Sequence, residues 1–141
     1  MTALHFDKAS VLVYDPVALN RHSTRNVLHT LGFRGIATAA SYDEFVEQLN
    51  SSREVDLIFA EVTGVDGDIC GLIQKLRHGE IGKNPFVVII ATAWMSASDL
   101  VKQVLLAGAD DLVVRPFSTT RLMERVRTHI EARKGFVVTS D

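Results

Sequence analysis

Little in this chain could staple it, anchor it or carry it onto a polyanion. Its single cysteine, Cys70, excludes an internal disulfide and suits a reducing compartment. No apolar stretch is long enough to span a membrane or to form the core of a secretory leader, so the cytoplasm is the expected location. Fifteen Lys and Arg stand against 17 Asp and Glu, interleaved, for a net charge of −2, and no basic stripe of the kind that neutralises phosphates is present. Nucleic-acid binding by this domain is therefore not expected, nor is membrane binding. There is also no repeat, low-complexity stretch or internal linker. At 141 residues the chain fits one domain that buries about 68% of its unfolded surface and needs no metal to hold it together.

What is present is a set of short apolar runs that end on polar residues. Val11-Leu12-Val13-Tyr14 stops at Asp15, Leu57-Ile58-Phe59-Ala60 at Glu61, Val87 to Ala91 at Thr92, and Leu112-Val113-Val114 at Arg115. In a parallel sheet all carboxyl ends share one edge, so these four polar residues can converge on one site.

Between the runs lie helical patterns, and this alternation predicts a parallel α/β sheet of five strand–helix units. The first strand covers Ser10 to Tyr14; the helix after it places Thr24, Val27, Leu28 and Leu31 on one face and stops at Gly32. Gly35 to Ala40 is a weaker second strand. Ser41 and Glu44 form a capping box that starts a helix from Tyr42 to about Asn50. A third strand, Val55 to Ala60, precedes a helix with Ile69, Leu72, Ile73 and Leu76 inward and Asp66 as its expected cap. Phe86 to Ala91 lacks any polar residue, as expected of a central strand covered on both faces. Ala97, Leu100, Val101, Val104 and Leu105 mark the fourth helical face, and Leu122, Val126 and Ile130 the fifth, which starts near Ser118. Residues 1–134 are read as the domain, and 135–141 as a tail or the start of a connection.

Four segments together resemble the response-regulator receiver domain of two-component phosphorelay signalling. They are Val11 through Asp15, Asn20-Arg21 through Leu31-Gly32-Phe33, Ala107-Gly108-Ala109-Asp110-Asp111, and Val114-Arg115-Pro116-Phe117. The resemblance covers about residues 8 to 133 and implies a flavodoxin-like, doubly wound five-stranded α/β fold. It also implies a domain, not an enzyme in its own right, that accepts a phosphoryl group from a sensor histidine kinase on a strand-three aspartate, using Mg²⁺.

Measured against that pattern, the site departs at several positions. Asp15 matches the first of two acidic residues after strand one, but Pro16 replaces the second. The acceptor aspartate maps onto Glu61, the hydroxyl residue is kept as Thr92, the lysine becomes Arg115, still followed by Pro116 and Phe117, and the aromatic switch position holds Leu112. Mg²⁺ needs near-octahedral oxygen ligands, so a metal site reduced to Asp15 and Glu61 is expected to bind it weakly or not at all, and no other cofactor is expected. An added methylene also misaligns the attacking carboxylate, so poor or absent phosphorylation is expected. Glu61 then offers a permanent partial mimic of a phosphoryl group, and the planar fork of Arg115 can grip it bidentately while Thr92 adds a hydrogen bond.

Plainer readings stand beside these. Asp15 can cap the following helix with Pro16 in its first turn, Glu61 and Arg115 can be a structural ion pair, and Thr92 a strand end. Trp94 and Met95 follow Thr92; such residues commonly fold back onto the core, but if exposed they join Leu112 and Phe117 as candidate contacts on the face of helix four, strand five and helix five. That face would serve a homodimer or a protein partner: a sensor kinase, an output domain or another signalling protein. His5, His22, His29, His78 and His129 show no metal-ligand spacing, Gly64, Gly67 and Gly71 form no phosphate-binding loop, and Cys70 reads as a structural thiol. Three functional classes follow, in order: a divergent receiver acting through protein contacts without phosphorylation; a receiver still phosphorylated at Glu61, Asp66 or Asp68; and a flavodoxin-like small-molecule binder.

Overall fold

A computed structural model describes the backbone of residues 2–4, 6–51, 53–131 and 138–140, and the side chains of 6–51 and 53–131. Its elements run β1 (Thr2–Leu4), a 3₁₀ turn (Phe6–Lys8), β2 (Ser10–Tyr14), α1 (Ala18–Thr30), β3 (Gly35–Ala39), α2 (Tyr42–Leu49), β4 (Leu57–Glu61), α3 (Ile69–Arg77), β5 (Val88–Ala93), α4 (Ser98–Ala107), β6 (Asp111–Val114), α5 (Thr119–Glu131) and β7 (Val138–Ser140). Five strands form one parallel sheet in the order β3-β2-β4-β5-β6. The chain leaves β2 towards β3 on one side and returns to β4 on the other, so the order reverses between β2 and β4, where open α/β sheets place their sites.

Because side chains alternate across a strand, each strand serves two cores. Leu12, Tyr14, Ile58, Ala60, Ile89 and Ala91 face the layer of α2, α3 and α4. Val11, Val13, Leu57, Phe59, Val88, Ile90 and Val113 face α1 and α5, where Leu28, Leu122, Val126 and Ile130 meet them. Tyr14 stacks on Phe45 with ring centroids 4.9 Å apart. These buried rows explain why the strands read as unbroken apolar runs.

Helix ends follow local chemistry. The capping box of α2 forms as expected: the Ser41 hydroxyl accepts from the Glu44 amide at 3.1 Å, and the Glu44 carboxylate reaches back to the amide of Ala40 at 2.8 Å. Gly32, at φ +109°, ends α1, where the Phe33 amide bonds back to the Leu28 carbonyl. At α5 the Ser118 hydroxyl accepts from the Arg121 amide.

Several boundaries differ from the sequence reading. The third strand of the pattern runs Leu57–Glu61, so Glu61 lies inside the sheet and not just beyond it. The fourth runs Val88–Ala93, and Phe86 is exposed, because Asn84 takes the Phe86 amide and Arg77 the carbonyls of Pro85 and Val87 before pairing begins. Asp68, not Asp66, caps α3, since the helix starts at Ile69; the Asp66 carboxylate instead accepts from the Tyr14 hydroxyl and the Tyr42 amide. Ala97 precedes α4 and Leu105 is exposed, leaving Val104 and Ala107 as its buried residues. Val138–Ser140, read as tail or connection, is a strand paired antiparallel to Thr2–Leu4. The boundary drawn at residues 134 and 135 falls outside the described residues, as does His5.

Candidate functional site

Four buried polar side chains sit where the rows facing α1 and α5 run out. The period of two carries Val11 and Val13 on to Asp15, Leu57 and Phe59 to Glu61, Val88 and Ile90 to Thr92, and Asp111 and Val113 to Arg115. Parallel register sets Glu61 directly beside Thr92. All four therefore point to the same side of the sheet at its carboxyl edge, with 0% exposure for Asp15, 1% for Glu61 and Thr92, and 8% for Arg115.

Arg115 organises them. Its Nε donates to Glu61 Oε1 at 3.2 Å, and its Nη2 donates to Asp15 Oδ2 at 3.1 Å and to the Thr24 hydroxyl at 3.0 Å. The expected bidentate grip on Glu61 is thus replaced by a bridge: one arm of the fork holds Glu61 and the other Asp15. Two carboxylates converge on one cation, and a fork that served only one would leave the other buried and unpaired. The Thr92 hydroxyl donates to Glu61 Oε1 at 3.0 Å, as expected. The guanidinium carbon lies 4.9 Å from the centre of the Phe117 ring, a cation–π contact, and the Arg115–Pro116 peptide bond is cis.

The second oxygen of Glu61 is held as well. Glu61 Oε2 accepts from both the amide and the hydroxyl of Thr63. Asp15 Oδ1 accepts from the Val17 amide at 2.9 Å. Val17 is itself the first flanking residue of α1, so Asp15 pins the approach to that helix without capping it, and Pro16 lies before its first turn. Burial lifts the Asp15 pKa above the ordinary carboxylate range and the charge of Glu61 lifts it further, while the Val17 amide, Arg115 and Arg21 oppose both.

Thr24 and Thr63 were not read as site residues. Thr24 carried a signal, a hydroxyl on an otherwise apolar helical face, which the structure turns towards Arg115. Thr63 carried none beyond its nearness to Glu61. Trp94 and Met95 are 53% and 57% exposed, so they do not fold back, whereas Leu112 is half-buried against the α2–α4 core and Phe117 is half-buried beneath Arg115. His129 meets a carboxylate the sequence did not place near it: its Nε2 lies 2.9 Å from Asp111 Oδ2. Among the described residues no three or more His, Cys, Asp or Glu side chains group as a metal site, and no helix is long and apolar enough to cross a membrane. Burial raises the pKa of the half-buried Cys70, with the charge of Asp68 adding to it, which suits a structural thiol.

Known proteins share this arrangement of strands. The chain is 30% identical over 128 residues to the transcriptional regulatory protein YvrH of Bacillus subtilis, covering 89% of this chain and 50% of YvrH. It therefore spans about half the length of that relative. It is also 30% identical over 117 residues to the chemotaxis protein CheY of Treponema pallidum, covering 82% of this chain and 78% of that one. A response regulator from Thermotoga maritima superposes with a TM-score of 0.74 at 26% identity, over 87% of this chain and 98% of the other. A two-component response regulator from Clostridium difficile, at 22% identity, shares the fold with a TM-score of 0.77 over 88% and 97% of the two chains. Residues 11–127 match the response regulator receiver domain as a family, and with the five-stranded sheet and the polar edge in place, the chain belongs to that family.

Proposed function

We propose that this receiver signals through protein contacts with the charge of its acceptor pocket fixed, and that phosphorylation is not its switch. The observation that carries the reading is the Arg115 guanidinium in contact with both carboxylates that a metal-dependent acceptor pocket would need. A cation is already supplied, covalently, by β6 and its following residue.

Mg²⁺ does not fit the residues present. It requires several free oxygen ligands at short, near-octahedral geometry. Every carboxylate oxygen of Asp15 and Glu61 already accepts a hydrogen bond from the protein, both residues are buried, and Pro16 brings no side-chain oxygen. A phosphoryl group would bring about −1.5 to −2 of charge. Glu61 supplies about one, held by Arg115, Thr92 and Thr63 in a fixed place. The other carboxylates considered as acceptors have structural partners: Asp66 binds Tyr14 and Tyr42, and Asp68 caps α3. Partners on this reading are signalling proteins, a kinase or an output domain among them. The surface of α4, β6 and α5 is the proposed place for them or for a second copy of the chain.

The test is incubation with Mg²⁺ and either acetyl phosphate or beryllofluoride. Intact-mass spectrometry is expected to show no phosphoryl adduct, and beryllofluoride no saturable binding. A phosphoryl adduct on Glu61, Asp66 or Asp68 overturns the reading.

A further inference from the structure

We propose that Thr63 is a positioning residue through which buried Glu61 sets the conformation of the exposed Trp94–Met95 loop. The inference rests on the fixed-charge reading of Glu61 given above and adds the route by which that charge reaches the surface.

Thr63 follows β4 by two residues and touches both sides of the route. Its hydroxyl and its backbone amide both donate to Glu61 Oε2. The same hydroxyl oxygen accepts the backbone amide of Trp94 at 3.2 Å. A hydroxyl has one proton and two lone pairs, so spending the proton on a carboxylate leaves the oxygen an acceptor for Trp94. The polarity of the chain is thereby set by the charge at its buried end. Donation to an ionised group also polarises the hydroxyl and strengthens what it accepts. At the other end, Trp94 and Met95 are large, apolar and exposed, directly after the last residue of β5. Leu112, half-buried on β6, offers no hydroxyl for a relay of its own, and Thr92 is occupied by Glu61 and Arg115 inside the pocket.

Glu61→Gln is the informative change because it keeps the shape and alters the polarity. With its carbonyl oxygen facing Arg115 and Thr92, the new amide group points its own protons at Thr63; the hydroxyl must then accept from that amide and turn its own proton away from residue 61, and the Thr63 backbone amide loses its acceptor, so the hold on Trp94 weakens. Trp94 is the only tryptophan in the chain, so its emission reports on this loop alone.

The experiment compares the wild-type protein with Thr63→Val, Thr63→Ser and Glu61→Gln, reading Trp94 emission and hydrogen exchange at the Trp94 amide, with circular dichroism to verify folding. Thr63→Val and Glu61→Gln are each expected to speed exchange at Trp94 about fivefold, the factor that corresponds to one neutral hydrogen bond, and to shift the emission. Thr63→Ser is expected to behave as wild type. If Thr63→Val moves Trp94 and Glu61→Gln leaves it unchanged, Thr63 merely pins the loop and the relay is refuted; if neither moves it, the proposal also fails. Should Glu61→Gln not fold, Glu61→Met, of similar length but with no acceptor for the Thr63 hydroxyl, takes its place and must move Trp94 while Thr63 is intact. A phosphoryl adduct on the wild-type protein would instead count against the fixed-charge reading, and the two failures are told apart by separate measurements.

Discussion

At the level of single residues, Arg115 carries the heaviest electrostatic duty. It is the buried cation facing Asp15 and Glu61, so removing it strands two carboxylates without access to water. Arg115→Met is expected to lower stability by about 3–5 kcal/mol, measured by urea denaturation, because a broken buried pair leaves its partner uncompensated. Asp15 has a second signature. Its pKa is raised by burial above the ordinary 3.8, so the folded protein holds this proton more tightly than the unfolded chain does. The stability gained from that proton is complete below 3.8 and is lost as pH rises through the folded value. The stability of wild type relative to Asp15→Asn is therefore expected to fall as pH rises from 3.8 through that window, in paired denaturation series; a flat difference would contradict the raised pKa. The identities of these residues were legible in the sequence because each ends an apolar run. Their sharing of one guanidinium was not, since partnership depends on where separate strands place their ends. Thr24 illustrates the middle case: a hydroxyl at i, i+4 from Leu28 on a buried face was visible, but its target lay 91 residues away.

Among the elements, the capping box of α2 was read well, whereas the cap of α3 and the strand ends were not. Ser41 and Glu44 announce α2 by themselves, because a capping box is a local interaction. Strand limits depend on which neighbours supply hydrogen bonds, and these come from residues such as Arg77, which are distant in sequence. Arg77 donates to the carbonyls of Pro85, Val87 and Gly108 and pairs with Asp110 at 3.1 Å, fastening α3 to the entry of β5 and to the turn before β6. Gly108 sits in that clasp at φ +124°, where an added Cβ would lie 2.6 Å from Arg77 Cγ. Gly108→Ala is expected to cost about 1–3 kcal/mol through overpacking, with backbone strain in addition. Ser41→Ala, which removes one cap and no packing, is expected to cost about 1 kcal/mol. Thermal midpoints of the two variants should fall in that order.

For the molecule as a whole, the five-stranded sheet was readable because each central strand is buried on both faces and so appears as an apolar run. The pairing of Thr2–Leu4 with Val138–Ser140 had no such signal, because both segments are only three residues long. A pocket already filled by its own cation has a global consequence that spectra can test. Addition of Mg²⁺ and beryllofluoride is expected to leave the amide spectrum and Trp94 emission unchanged, and shifts spreading from the pocket would contradict it. The bridged carboxylates also bear on how such a domain could change over generations. Shortening Glu61 to aspartate draws its carboxylate back from the guanidinium, and lysine at 115 would give up the fork that holds Glu61 with one arm and Asp15 with the other. Each single substitution of this kind towards the family's pattern is therefore expected to give a less stable domain. On that expectation, folding itself would act on the pocket as a pawl acts on a ratchet.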